Sequence, residues 1–220
     1  IFAAGKGTRL KPFTDSHPKA LALVNDVPLL ERNIKYLQSF GVAEFVINVH
    51  HFGEQIVEFL EKNNHFGAKI DISDEKDELL ETGGGLLFAQ KYLENEENFL
   101  IMNADILTDL NIHELVKFHE KHLPLATLAV SDRNSSRKLF FNSEMVLKGW
   151  MNKNSGETKM AEFNSDFKEL AFSGIHCINS SIFDKIKRRG KFSIMEEYLD
   201  LMFENKILGF QHEARLIDVG

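Results

Sequence analysis

The sequence predicts an α/β fold of Rossmann-like design, a mixed and mainly parallel sheet with helices on both faces. Two observations carry that prediction. Strand-like and helix-like segments alternate from Ile1 to about residue 125, the signature of right-handed βαβ units. The stretches with chemical character (the opening glycine loop, the Gly83–Gly85 run and Asp105) all fall where predicted strands end, which is where ligands of such sheets bind. With no repeat, low-complexity tract or linker in 220 residues, one domain is expected, built of two halves, 1–125 and 126–220.

Taken in order, Ile1-Phe2-Ala3-Ala4 reads as the end of a buried strand. Pro28-Leu29-Leu30 opens a helix with Leu30, Ile34 and Leu37 at helical spacing, and Gly41 stops it. Glu44–Val49 is the next strand, followed by a helix carrying Ile56, Phe59 and Leu60. Lys69–Ser73 is a short strand. An acidic loop follows, then Thr82-Gly83-Gly84-Gly85 as a turn into a helix near Leu86–Tyr92. Asn98–Asn103 is a strand leading to Asp105, and 111–122 is helical. The second half predicts shorter strands at Leu125–Val130, Lys138–Phe141 and Met145–Trp150, some antiparallel, with a polar loop over 151–168. Leu170–Ile178 is a long apolar strand, helices follow near 180–188 and 194–205, and Ile207–Gln211 is strand-like. The last strand closes on Asp218.

Composition bounds the partners. Hydrophobic residues make up 43% and charged residues 27%, and no apolar run reaches the roughly 18 residues of a membrane span. A net charge of −7 argues against nucleic acid, though a local nest of N–H groups with a metal reverses the sign within one cleft. The single cysteine, Cys177, excludes an internal disulfide and fits a cytoplasmic protein. Its apolar strand makes it a buried thiol rather than a nucleophile. The opening without methionine, partway into a strand, suggests further residues before Ile1, and the stop at Gly220 suggests more after it.

The most informative stretch is Ala3-Ala4-Gly5-Lys6-Gly7-Thr8-Arg9-Leu10, with Pro12 and Pro18-Lys19 beyond. Glycines at a strand end let bare N–H groups face an anion. Thr8 adds a hydroxyl, and Arg9 and Lys19 add cations. The Walker spacing is absent, and Leu10 occupies the third glycine position of a dinucleotide fingerprint. Asp105, in Asn103-Ala104-Asp105, and Asp218, in Asp218-Val219-Gly220, each follow a strand. Were both strands in one sheet, the two carboxylates could share a rim and, with phosphate oxygens, a Mg²⁺ ion.

The pattern G-x-G-T-R-L-x-P with P-K beyond resembles the sugar-1-phosphate nucleotidyltransferases, which join a sugar 1-phosphate to an NTP and release pyrophosphate. The resemblance covers essentially the whole chain. Glu81-Thr82-Gly83-Gly84-Gly85, Phe172-Ser173-Gly174-Ile175 and Asp218-Val219-Gly220 are most similar to N-acetylmuramate 1-phosphate uridylyltransferases, with mannose-1-phosphate guanylyltransferases and glucose-1-phosphate thymidylyltransferases also open. It implies Arg9 and Lys19 as catalytic cations on the phosphates, and Asp105 and Asp218 as ligands of Mg²⁺. It implies Ala4, Gly5, Gly7, Thr8, Glu81, Thr82 and Gly83 around the nucleotide, and Gly174 beneath the sugar. One acid of the loop, Glu75, Glu78 or Glu81, would accept from the base. The lysine that some relatives use on the sugar phosphate has no clear counterpart; Lys153 and Lys159 are candidates by location alone. A nicotinamide-binding domain is disfavoured by Leu10. A non-catalytic nucleotide-sugar sensor is disfavoured because Arg9, Lys19 and both aspartates are all present.

Other features read as structural. Lys185–Lys191 is a basic helix end before a glycine. His119 and His122 lack the further ligands of a zinc site. His50-His51 and Trp150 are assigned to surface and packing.

Overall fold

The computed structural model describes residues 1–76, 78–162 and 166–219. Its strands are β1 (Leu23–Val24), β2 (Val27–Pro28), β3 (Glu44–Val49), β4 (Lys69–Asp74), β5 (Asn98–Met102), β6 (Ile106–Thr108), β7 (Ala126–Ser131), β8 (Arg137–Phe141), β9 (Leu147–Asn152), β10 (Thr158–Met160), β11 (Lys168–Asn179), β12 (Ile207–Gln211) and β13 (Leu216–Asp218). Its helices are α1 (Leu29–Gln38), α2 (Gly53–Lys62), α3 (Glu81–Phe88), α4 (Gln90–Leu93), α5 (Ile112–His122), α6 (Ile182–Lys185) and α7 (Ile194–Leu201).

Phe2 makes parallel bridges to both Asn48 and Asn103, so the opening segment lies between β3 and β5. From there β3 pairs parallel with β4 on one side. On the other, β5 pairs antiparallel with β11, β11 antiparallel with β7, and β7 parallel with β12. With antiparallel neighbours on both flanks, β11 is the strand running against the rest, and the sheet is mixed but mainly parallel. An antiparallel meander of β8, β9 and β10 attaches to the first residues of β11 and rises above the rim.

Strand side chains alternate between faces, and each face is covered by helices. Ile47 and Val49 join Leu30, Ile34 and Leu37 of α1, Ile56 and Leu60 of α2 and Leu115 of α5 in one core. Phe99, Ile101, Leu128 and Val130 join Leu86 of α3, Phe183 of α6 and Tyr198 of α7 in the other. His119 of α5 is also buried, donating or accepting between Thr127 and Asn98 at 2.9 and 3.0 Å.

Several elements differ from the sequence expectation. Asn25 and Asp26, both at positive φ, make a tight turn joining β1 to β2, a hairpin not predicted. The glycine run is not a turn before a helix but the first turn of α3 itself. The helices expected at 180–188 and 194–205 shorten to α6 and α7. The 151–168 stretch contains β10 and the end of β9, its residues 163–165 lying outside the described residues. The closing strand β13 is not in the main sheet: it pairs antiparallel with β6 in a separate two-stranded ribbon.

Candidate active site

The opening segment ends at the sheet rim, and its root is fixed by a buried relay. Asn48 accepts from the Ala3 N–H at 2.8 Å and donates to Glu75 Oε1 at 2.6 Å, while Glu75 Oε2 accepts from the Leu80 N–H at 2.9 Å. Burial raises the Glu75 pKa, opposed by those two hydrogen bonds. Glu75 is therefore an internal anchor with both carboxylate oxygens engaged, not the free acceptor for a base that the sequence suggested. Gly85 makes room for it, since a Cβ there would stand 2.5 Å from Oε1.

Beyond buried Ala3 and Ala4 the chain turns through Gly5 and Gly7 into a short 3₁₀ turn, Thr8–Leu10. Gly7 has φ +59, and a Cβ on it would lie 2.8 Å from Lys19 Cβ and 2.9 Å from Thr14 Cγ2. Thr14 Oγ1 donates to the Gly7 carbonyl at 2.9 Å. The loop is thus folded directly onto Lys19, with Thr8 and Arg9 at its outer edge.

Lys19 Nζ donates to Asp105 Oδ2 at 2.5 Å. Asp105 is held in place because the Ala104 N–H donates to the Phe2 carbonyl and Asn33 Nδ2 donates to the Ala104 carbonyl. Its other oxygen, Oδ1, is buried with no hydrogen-bond partner. A buried carboxylate oxygen left unpaired is costly, so the site is built for a cation or donor that binds there.

The ribbon brings Asp218 to this point. Asp218 is paired in register with Ile106, and the Val219 N–H donates to the Asp105 carbonyl at 2.9 Å. The two aspartates are neighbours through this pairing rather than through the shared sheet that the sequence implied. Arg9 lies over them, with Nη2 3.9 Å from Asp218 Oδ1. Gly220 lies outside the described residues.

Arg9, Asp105 and Asp218 line a cavity of about 620 Å³ whose further walls include Thr82, Gly174 and Ser193. Gly174, at φ +76, carries the register shift of β11, and its carbonyl accepts from the Asn103 N–H at 3.0 Å. A Cβ there would meet Ile106 at 2.7 Å, so glycine keeps this floor flat. Next to Thr82, the N–H groups of Gly83 and Gly84 both donate to the Phe192 carbonyl, and Thr82 Oγ1 accepts from the Ile194 N–H at 3.0 Å. These groups, expected to face a base, are instead the seam between α3 and the loop before α7. Glu81, at φ +61, lies 3.7 Å from Lys191.

Lys153 pairs with Glu169 and Lys159 with Asp200, and neither is on the cavity wall. Residues on that wall which sequence reasoning missed are Arg133 on the β7–β8 loop and Arg137 at the start of β8, with Trp150 and Phe172 also on it. Arg133 follows a strand that was predicted, so its position at a strand's carboxyl end was available as a signal. His176, also on the wall, shares a 2.6 Å hydrogen bond with the Tyr198 hydroxyl; burial lowers its pKa to about 3, keeping it neutral.

Comparison with known proteins agrees with this architecture. The nucleotidyl transferase family model matches residues 1–189. An N-acetylmuramate alpha-1-phosphate uridylyltransferase of Neisseria meningitidis serogroup B is 29% identical over 227 residues, covering all of this chain and 91% of that protein. A mannose-1-phosphate guanyltransferase of Gibberella zeae is 28% identical over 228 residues; the chain spans only 60% of its length. Among solved structures, HddC from Yersinia pseudotuberculosis complexed with GMP-PN superimposes with a TM-score of 0.80 at 22% identity, covering 100% of this chain and 92% of that one. A putative glucose-1-phosphate thymidylyltransferase from Bacillus anthracis gives 0.82 at 17% identity, covering 99% and 87%. A rim loop folded onto a lysine–aspartate pair, a second aspartate delivered by a ribbon, and a family match over most of the sequence lead to one conclusion: this chain belongs to the nucleotidyl transferase family.

Proposed function

We propose that the chain transfers a nucleotidyl group from an NTP to a sugar 1-phosphate, giving an NDP-sugar and pyrophosphate. The observation that carries this reading is the meeting of Asp105 and Asp218 at one cavity, with the Asp105 Oδ1 atom buried and unpaired. Two carboxylates with no third acidic, histidine or cysteine ligand among the described residues suit a hard ion that fills its other positions with phosphate oxygens and water. Asp105 and Asp218 would hold that ion, Mg²⁺, which supplies charge neutralisation where two anionic reactants must approach.

The chain's own residues do the rest by positioning. The sugar phosphate oxygen attacks the α-phosphorus and pyrophosphate departs opposite, so one P–O bond forms as another breaks. Ala4, Gly5, Gly7 and Thr8 offer backbone and hydroxyl donors to the triphosphate. The exposed Arg9 fork takes charge that grows on the leaving pyrophosphate. Lys19 fixes the Asp105 carboxylate and lowers the negative potential where the phosphates lie. Thr82, on the cavity wall, borders the nucleotide side, and Gly174 lies beneath the sugar.

Among nucleotides and sugars the reading favours UTP with an amino-sugar or muramate-type phosphate. Its support is the Neisseria relative, which matches this chain over nearly its own full length. Nucleotide-sugar synthesis for the cell envelope, in the cytoplasm, follows from that choice. The test is a matrix of UTP, GTP and dTTP against N-acetylmuramate, mannose and glucose 1-phosphates, read as pyrophosphate release with Mg²⁺ and with EDTA. The expected result is metal-dependent release, greatest for UTP with N-acetylmuramate 1-phosphate. No release from any pair refutes the reaction, and release greatest with GTP and mannose 1-phosphate refutes the substrate choice.

A further inference from the structure

Three guanidiniums face the cavity but only two carboxylates line it among the described residues, and the surplus lies on one side. Arg9 is over Asp218. Arg133 stands on the β7–β8 loop and Arg137 at the start of β8, on a wall shared with Trp150 and Phe172, and among the described residues no further acid lines that wall. The nearby Asp132 lies 3.9 Å from Lys138.

The loop holds these cations deliberately placed. Lys138, buried, donates from Nζ to the Arg133 carbonyl at 2.9 Å, and Ser135 Oγ accepts from the Arg137 N–H at 3.2 Å. Arg133 Nη2 donates to the Phe172 carbonyl at 2.9 Å, which orients the guanidinium, while its Nε is buried without a partner. Among the described residues the Arg137 side chain makes no ion pair or hydrogen bond. Charged donors left unpaired at a cavity wall favour an incoming anion.

Their place in the fold separates that anion from the reacting phosphates. Phe172 is two residues along β11 from Gly174, which is hydrogen-bonded abreast of Asn103 near the aspartates. Phe172 thus lies to one side of the floor that Gly174 forms beside the aspartates. A sugar whose 1-phosphate lies at Asp105 and Asp218 would therefore present a group on its far side to Arg133 and Arg137.

We propose that Arg133 and Arg137 are the specificity residues for a carboxylate on the sugar, so that the acceptor is an acidic sugar 1-phosphate. This rests on the proposed reaction and names its substrate class. A planar carboxylate suits a guanidinium fork, and a neutral sugar would leave both cations unpaired.

N-acetylmuramate 1-phosphate and N-acetylglucosamine 1-phosphate differ by the lactyl ether that carries the carboxylate, which makes them matched probes. Binding of each to the protein with Mg²⁺ is measured by calorimetry, and KM and kcat by pyrophosphate release, for wild type, Arg137→Met and Arg133→Lys. Arg137→Met removes a side chain with no hydrogen bond or ion pair among the described residues, so folding should be preserved, and Arg133→Lys retains charge. The expected result is tighter wild-type binding of the acidic sugar, weakened about tenfold or more by Arg137→Met, with binding of the neutral sugar and KM for the NTP unchanged. An equal loss for both sugars would assign the arginines to the common phosphate and overturn the proposal, as would no loss for either. If wild type releases no pyrophosphate with any pair, the reaction has failed, and the calorimetric comparison still decides the role of the arginines on the same criteria.

Discussion

Gly5 and Gly7 impose different demands on the same loop. Gly7 is required by the fold, because its φ of +59 and its approach to Lys19 and Thr14 exclude a side chain. Gly5 has no heavy atom within 4 Å of where a Cβ would go. Gly5→Ala should therefore leave thermal stability unchanged while raising KM for the NTP about tenfold or more, because only a bound ligand would meet the methyl. A KM equal to wild type would show that nothing lies against that backbone. Arg9→Ala and Asp105→Asn should each lower kcat at least about a hundredfold, the scale of a lost charge-stabilising contact in the transition state. Near-normal rates in either would refute its role. For Asp105→Asn the melting temperature must be read alongside, since Lys19 loses its partner.

At the scale of elements, the seam between α3 and the loop before α7 depends on two consecutive glycines, Gly83 and Gly84. A Cβ on Gly84 would stand 2.2 Å from the Gly190 carbonyl oxygen, and one on Gly83 would enter the Phe192 ring at 2.3 Å. Gly84→Ala should cost roughly 1–3 kcal/mol in urea unfolding, the usual penalty for overpacking, and a midpoint equal to wild type would refute the seam. Nothing in the local sequence distinguishes this use of glycines from an exposed turn, because the neighbour that forbids side chains is more than a hundred residues away. Glu75 was misread for the same reason: its partners Asn48 and Leu80 define it as an anchor, and one of them belongs to another strand. The helices α1, α2 and α5 were legible because their apolar spacing is local. The β1–β2 hairpin was legible too, in Asn25-Asp26, and was missed because two-residue strands carry almost no periodicity. Arg133 was signalled only by its place after a predicted strand and Arg137 by nothing local, their common wall being set by the tertiary fold.

Across the whole molecule, two histidines are built into opposite sides of the sheet region in neutral form. Burial lowers His119 to about 4 and His176 to about 3. The unfolded chain takes up protons on both as pH falls through about 6.5, while the folded chain does not. Stability is therefore undiminished by these groups above about pH 6.5 and falls progressively as pH drops toward 4, by an order of a few kcal/mol for the pair. NMR of the imidazoles checks the cause directly: both should show no titration between pH 7 and 5. A titration midpoint near 6.5 at either ring would refute its share.

Residues 216–218 sit on a ribbon whose Ile217 is 59% exposed and whose Leu216 is a partly buried residue at the edge of one core, yet they deliver Asp218 beside Asp105. Competence and foldedness are thereby uncoupled along the chain. A polypeptide cut before Leu216 should fold with a near-native circular dichroism spectrum and remain inert, and one that turned over substrate would show that the second acid is dispensable.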